Sequence, residues 1–375
     1  MSGQWRSTAA QTFVSGRITQ IDGFWSSHKS SAALMEVIET WDLWHVVWGA
    51  RASEKKKIWK KYTTGGSAFS RFKSKASNLL GTGSDRQLGK EIFDALEQDI
   101  CMPIQRIMDY AGLTINFNAQ SWFGNQAGFD SYISMWDRIK SDSALDAYAA
   151  TKGGKQNPAD WRAKADRHAI YGQFGSKDVK DSGMQLPHVK EVRAFESYKF
   201  SASKPAPTDS QLFAALNYGM RPNGASTEYG RSYFELENKY KQNAIYFAMD
   251  TFTPVFGKRD KKLRGKLYQA NYGSFGGAIL LAIMEQYKDN QSAVLEKHSK
   301  ELITNLMAAK TKKLPNTKEN HLLIEAHIFE KVEMNAQCIK KVIVAKSELG
   351  KCIDNLKKFK RDTGIPYGII DDTNI

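Results

Sequence analysis

Two short segments hold residue types that could do chemistry together. The first, Leu322-Leu323-Ile324-Glu325-Ala326-His327-Ile328-Phe329, reads as a strand. Residues two apart in a strand share a face, so Glu325 and His327 project side by side from an otherwise apolar run. Burying such groups is costly unless they are paired or used. Used together, they can hold a developing positive charge and move a proton near neutral pH. A lone Glu-x-His also suits an edge strand with one wet face, so the spacing alone assigns no reaction.

The second segment runs from Ala215 to Ala225 and on through Tyr229-Gly230-Arg231-Ser232-Tyr233-Phe234-Glu235-Leu236. A strand enters a Gly/Pro turn and returns as an aromatic strand. Backbone groups around Asn217, Tyr218 and Gly219 could bind the amide of a flat heterocycle such as adenine or nicotinamide. Arg221 offers the planar, bidentate guanidinium that suits a pyrophosphate. Tyr229, Tyr233 or Phe252 could sandwich the heterocycle, with Ser232 among the same candidate contacts. A nucleotide carrying such a heterocycle and a pyrophosphate is the ligand these residue types would serve. The plainer alternative is a hairpin whose aromatics pack inward.

A third cluster is basic and aromatic. Trp41, Trp44, Trp48, Ile58, Trp59, Tyr62, Phe69 and Phe72 alternate with Arg51, Lys55, Lys56, Lys57, Lys60, Lys61, Arg71, Lys73 and Lys75. Bulky anchors on a basic helix fit the acidic, Met-lined groove of calmodulin. The same residues would serve a solvated face whose tryptophans enter a core, or a nucleic-acid surface with stacked bases. All three readings stay open from composition.

The elements that must position these groups follow from periodicity. The chain has 375 residues and a net charge of +14, which favours anionic partners without naming one. Its three cysteines, Cys101, Cys338 and Cys352, form no CxxC pair and suit a reducing compartment. No apolar run approaches the roughly 20 residues of a membrane span. P-loop, HExxH, GxSxG and EF-hand patterns are absent from the sequence. Residues 1–28 read as a flexible polar leader, of the composition that suits a type III secretion signal. Apolar steps predict helices over Ser30–Ala50, over Gln87–Asp109 with a break at Pro103, and over Phe129–Ala150. Residues 29–150 would then form a helical domain, and the polar, Gly-rich stretch 151–187 a linker. Strand-like runs follow at Val192–Phe200, Ser232–Leu236, Ala244–Phe247 and His321–Phe329, with helices over Phe275–Tyr287 and Ser292–Ala309. The basic tail, Met334–Lys360, reads as helical. The expectation is an α+β protein, with a helical N-terminal domain ahead of a mixed catalytic domain at 188–375.

The Asn217-Tyr218-Gly219 strand end, the Tyr229–Phe234 strand and Glu325-Ala326-His327 together resemble the OspC family of type III secretion effectors. The resemblance covers most of the chain and is strongest over 212–252 and around Glu325. It implies a divergent ADP-ribosyltransferase core behind a calmodulin-binding helical domain. It further implies transfer of ADP-ribose from NAD+ to an arginine of a host caspase, followed by deamination (ADP-riboxanation), in the host cytoplasm after secretion. In that reading Glu325 is the catalytic glutamate and His327 its companion, while Trp41, Trp44, Trp48, Ile58, Trp59, Lys60 and Tyr62 meet calmodulin. Neither membrane nor nucleic acid is then a partner. The family's C-terminal ankyrin repeats have no counterpart here, since no TPLHxA pattern occurs. A basic nucleic-acid-binding protein and a non-catalytic calmodulin-binding adaptor are the rival classes; both leave Glu325 and His327 without a role.

Overall fold

A computed structural model describes residues 5–28, 97–123, 211–248, 269–290, 293–309, 313–319 and 322–372. The expected helices at 30–50 and 129–150, the linker, the strand at 192–200, Phe252 and the whole basic aromatic segment lie outside these residues. The described part is α+β, built on one eight-stranded mixed sheet. Its strands are β1 (Gly112–Phe117), β2 (Leu212–Asn217), β3 (Ser232–Leu236), β4 (Ile245–Phe247), β5 (Gln269–Ala270), β6 (Glu325–Ile328), β7 (Ile339–Ala345) and β8 (Tyr367–Ile370). The spatial order is β5-β4-β6-β2-β1-β3-β7-β8, with every pair antiparallel except β7 and β8.

Residues directly opposite in paired strands share a face, so the register sorts the side chains into two sets. Leu113, Ile115, Phe117, Ala214, Leu216, Phe234, Tyr246, Ala326, Ile328, Val342 and Val344 fall on one face, and all are buried. Helices pack there. Phe275 opens α6 (Phe275–Asn290) with its ring 5.4 Å from Tyr246, and Phe359 of α9 (Ile353–Thr363) lies 6.2 Å from Phe234. The opposite face carries Thr114, Asn116, Phe213, Ala215, Asn217, Tyr233, Glu235, Ile245, Phe247, Glu325 and His327. Its polar residues set it apart from the helix-covered face, and it holds the candidate site.

Three expectations are corrected. Residues 8–28 are helical rather than a leader: α1 (Thr8–His28) buries Ala10, Phe13, Val14 and Ile21 at steps of three, four and seven. Residues 97–123 do not stay in a separate helical domain, because β1 sits in the middle of the sheet between β2 and β3. Of the basic tail, Ile339–Ala345 is a strand; its β-branched Ile339, Val342, Ile343 and Val344 fit a pleated, half-buried surface better than a helix. α8 (Lys346–Leu349) and α9 then return the chain to β8, parallel to β7, in the βαβ connection that parallel pairing requires.

Other expectations hold. The described end of the helix expected over Gln87–Asp109 is divided near Pro103, as read from sequence. A π turn at Glu97–Cys101 gives way to α2 (Met102–Gln105) and α3 (Ile107–Tyr110). Proline lacks the N–H that would close the α-helical bond four residues back, and the wider turn before it accommodates the loss. α4 (Ala119–Phe123) and α5 (Lys239–Gln242) are single turns, while α7 (Ala293–Ala309) matches its predicted span within a residue.

Candidate functional site

Glu325 and His327 do share one face of β6. His327 Nε2 lies 2.5 Å from Glu325 Oε1, and the two residues are 0% and 5% exposed respectively. Alternation along the strand places them together; the neighbouring strands then enclose them. Phe213 on β2 and Ile245 on β4 stand opposite His327, while Ala215 and Phe247 stand opposite Glu325. The Phe213 ring meets the imidazole edge-on at 4.8 Å and the Phe247 ring lies 4.5 Å away. Apolar walls and a short hydrogen bond hold the imidazole in one orientation, at a place where water competes poorly for the carboxylate.

The turn from β2 into β3 reaches the same face of the sheet, where Ala225 packs against Ala215, the residue opposite Glu325. Asn217 Nδ2 donates to the Arg221 carbonyl at 2.9 Å, and Arg221 N donates to Asn217 Oδ1 at 2.8 Å, which locks the corner. The chain then crosses the polar face over β1. Asn116 Nδ2 donates to the carbonyls of Asn223 and Gly230 at 2.7 and 3.0 Å, and Thr114 Oγ1 accepts from Ala225 N at 3.0 Å. Asn223 and Asn316 complete the clasp, with Asn316 Nδ2 donating to Asn223 Oδ1 at 2.6 Å. Ala225, Ala215 and Leu323 form a small apolar cluster apart from the main core, on the same side of the sheet as Glu325.

Most of the predicted nucleotide contacts brace this turn. Asn217 spends its amide on the corner. Gly219 accepts from Leu314 N at 2.8 Å, and a Cβ there would sit 2.8 Å from the Leu314 side chain. The Arg221 guanidinium is buried, stacked 4.7 Å from the Tyr218 ring centroid. Its Nε donates to the Pro315 carbonyl at 3.0 Å and one Nη2 to Tyr218 Oη at 3.2 Å, leaving Nη1 without a hydrogen-bond partner. Tyr218 Oη in turn donates to the Leu322 carbonyl at 2.9 Å, which ties the corner to the entry of β6. Burial pushes the Tyr218 phenol up, with Arg221 opposing. Ser232 is fully buried and donates to Glu348 Oε2 at 2.7 Å while accepting from Ala345 N at 3.0 Å. Tyr233 does lie on the Glu325 face; its phenol is pushed up to about 12 by burial, reinforced by Glu235. Tyr229 stands at the turn, 52% exposed.

Two carboxylates that sequence reading passed over pin the far end of the same turn. Glu348 Oε1 accepts from Arg231 N at 2.9 Å and Asn118 Nδ2 at 3.4 Å, and Oε2 accepts from Ala119 N at 3.1 Å besides Ser232. Asp372 accepts from Ser347 N at 2.9 Å, Ser347 Oγ at 2.5 Å and Arg231 Nη1 at 3.0 Å. Their partners come from three segments, two of them more than a hundred residues away, which is why no local pattern announces them. Burial alone would raise the Asp372 carboxyl, but the Ser347 and Arg231 hydrogen bonds outweigh it and hold it below the ordinary aspartate value. Its stabilisation is therefore complete above about pH 4 and fades as the pH falls through the depressed value. Acid is expected to loosen β8 first, read as faster amide exchange at Gly368 and Ile370, and Asp372→Asn should flatten that dependence. An acid slope unchanged in the variant would assign it to other carboxylates.

Among the described residues no group of three His, Cys, Asp or Glu could hold a metal ion, and no helix is long and apolar enough to cross a membrane. No protein-family model matches the chain, and no curated protein matches it.

Proposed function

We propose that this chain is an NAD+-dependent arginine ADP-ribosyltransferase with an ADP-ribosyltransferase-like core, acting as a secreted effector on a host protein. The observation that carries the reading is the buried Glu325–His327 pair on the polar face of the sheet, walled by Phe213 and Phe247. A desolvated carboxylate beside a held imidazole fits a cleavage in which positive charge builds on a sugar carbon and protons must then move. NAD+ would supply a glycosidic bond whose cleavage releases neutral nicotinamide. Glu325 would accept a hydrogen bond from a ribose hydroxyl and stabilise the charge that develops as that bond opens. His327 would take the proton that the target guanidinium loses on attack at the anomeric carbon. In the second step, which the resemblance implies, a ribose hydroxyl attacks the guanidinium carbon, the C–N bond breaks and ammonia leaves; the same imidazole would shuttle that proton. Arg221 clamps the neighbouring turn to Tyr218 and Pro315.

The resemblance also supports a host caspase as substrate and calmodulin as activator, docking on the basic aromatic segment from Trp41 to Phe72. The test is an NAD+ titration by calorimetry on the full chain, with and without calmodulin. Saturable binding that appears or tightens with calmodulin is the expected result. No NAD+ binding under either condition would overturn the transferase reading and return Glu325 to an ordinary buried strand residue.

A further inference from the structure

The two edges of the sheet are finished differently. β5, at one end, spans Gln269–Ala270 among the described residues, and both are buried. β8, at the other end, is Tyr367-Gly368-Ile369-Ile370, with Ile369 45% exposed. Natural edges are blunted by proline, inward charges, bulges or very short strands. Within β8 there is no proline and no charged residue, and its register with β7 runs unbroken from Tyr367 to Ile370. Val342 N donates to the Pro366 carbonyl at 2.9 Å, so parallel-ladder alternation turns Gly368 and Ile370 toward β7. The N–H and C=O groups of Tyr367 and Ile369 then point to the open side, beyond which the sheet has no strand among the described residues.

The surface beside this edge is basic. Lys360 holds its ammonium 5.9 Å from the Tyr367 ring centroid, at the start of β8. Lys357 lies one turn before Lys360 on the same stripe of α9 and is exposed, as are Lys358 and Arg361 beside them. Asp354 and Asp362 offset only part of that charge. A second copy of the chain would bring two such stripes together on molecules that each carry +14. We propose that the open edge of β8 captures an extended, acidic segment of a partner protein by strand addition, with main-chain hydrogen bonds to Tyr367 and Ile369 and carboxylates meeting Lys357, Lys360 and Arg361. This surface is separate from the Glu325 site and needs no nucleotide.

The test uses the full chain and an acetylated peptide of about seven residues, the length of a typical strand, alternating valine and glutamate. Its counterpart alternates valine and lysine. Binding is read by fluorescence anisotropy, and its location by amide hydrogen exchange. The glutamate peptide is expected to protect the Tyr367 and Ile369 amides and the lysine peptide to bind at least about tenfold more weakly. Ile369→Pro removes one outward N–H without touching the bonds to β7 and should abolish the protection. The surface triple variant Lys357→Glu, Lys360→Glu, Arg361→Glu, which leaves the ladder intact, should reverse the peptide preference. Equal affinity for both peptides, binding of neither, or protection elsewhere would overturn the proposal. Protection of β8 that rises with protein concentration alone would do so too, by giving the edge to a second copy.

Discussion

Glu325→Gln is expected to lower nicotinamide release from NAD+ by roughly 10²- to 10³-fold, the usual cost of removing one preorganised electrostatic stabiliser. The substitution keeps the shape of the side chain and an oxygen within reach of His327, so it removes the negative charge with little change in packing. The hydrogen bond itself contributes only about 1 kcal/mol to stability, and the melting temperature should move by a few degrees at most. That separation between activity and stability is the point of the experiment. Glu325→Ala would confound the two, because it empties space between Ala215 and Phe247 and strips His327 of its partner. In Glu325→Gln, a nicotinamide release rate equal to that of the parent chain, with NAD+ binding intact, would sink the catalytic role. His327→Asn tests the companion: it should slow transfer to an arginine peptide more than hydrolysis of NAD+, since water needs less help in losing a proton than a guanidinium held in place.

The part of this site that was legible in the sequence is the part governed by short-range rules. Two-residue alternation put Glu325 and His327 on one face, and a Tyr/Phe-rich run gave β3 its bounds. Apolar spacing gave α6 and α7. What escaped is non-local. Asn116, Thr114, Glu348 and Asp372 each hold a segment roughly a hundred residues away or pin two ends of one turn, and no window of sequence contains both partners. β1 itself had a local signal, since Leu113, Ile115 and Phe117 alternate with Thr114 and Asn116, but its neighbours in the sheet come from beyond residue 210. The same lesson applies to Arg221. Residue type suggested a pyrophosphate ligand; the fold uses the group to clamp Tyr218 and Pro315 behind the site.

Polar composition misled in a different way at the N-terminus. Residues 1–28 are rich in Ser, Thr, Gln and Gly, yet α1 carries an apolar stripe and docks on α6. Docking is possible because α6 opens with Phe275-Gly276-Gly277. The Trp25 indole lies where a Cβ on Gly277 would be, with ring atoms 2.0 and 2.1 Å from that position. Gly276 does the same for the π turn and α2: a Cβ there would fall 2.1 Å from the Cys101 carbonyl oxygen and 2.9 Å from Gln105 N. Gln105 fastens this crossing, accepting from Gly276 N at 2.8 Å and donating to the Tyr272 carbonyl at 2.8 Å.

Gly276→Ala is therefore expected to be among the most destabilising single-methyl changes in the molecule. Helix propensity argues the other way, since alanine gains about 1 kcal/mol over glycine inside a helix. The collision decides the sign. The obstructing atoms are backbone, fixed by the turn that Pro103 imposes, and they cannot rotate away. Forcing α6 off the π turn and α2 would strain the crossing and break both Gln105 bonds, a net cost of about 3 kcal/mol after the propensity gain. In a chain of this size that corresponds to a fall in melting temperature of roughly 3–5 °C. Gly277→Ala meets a side chain that can swing, so it should cost less and show itself as a red-shifted tryptophan emission when the Trp25 indole is displaced toward water. α6 also packs Phe275 against Tyr246 of β4, whose neighbour Phe247 touches His327. A destabilised Gly276→Ala protein should thus lose NAD+ turnover on warming before Glu325 itself is altered. Differential scanning calorimetry alongside a temperature series of nicotinamide release checks both parts. A melting temperature equal to or above that of the parent would show that the helix crossing is looser than its close contacts require.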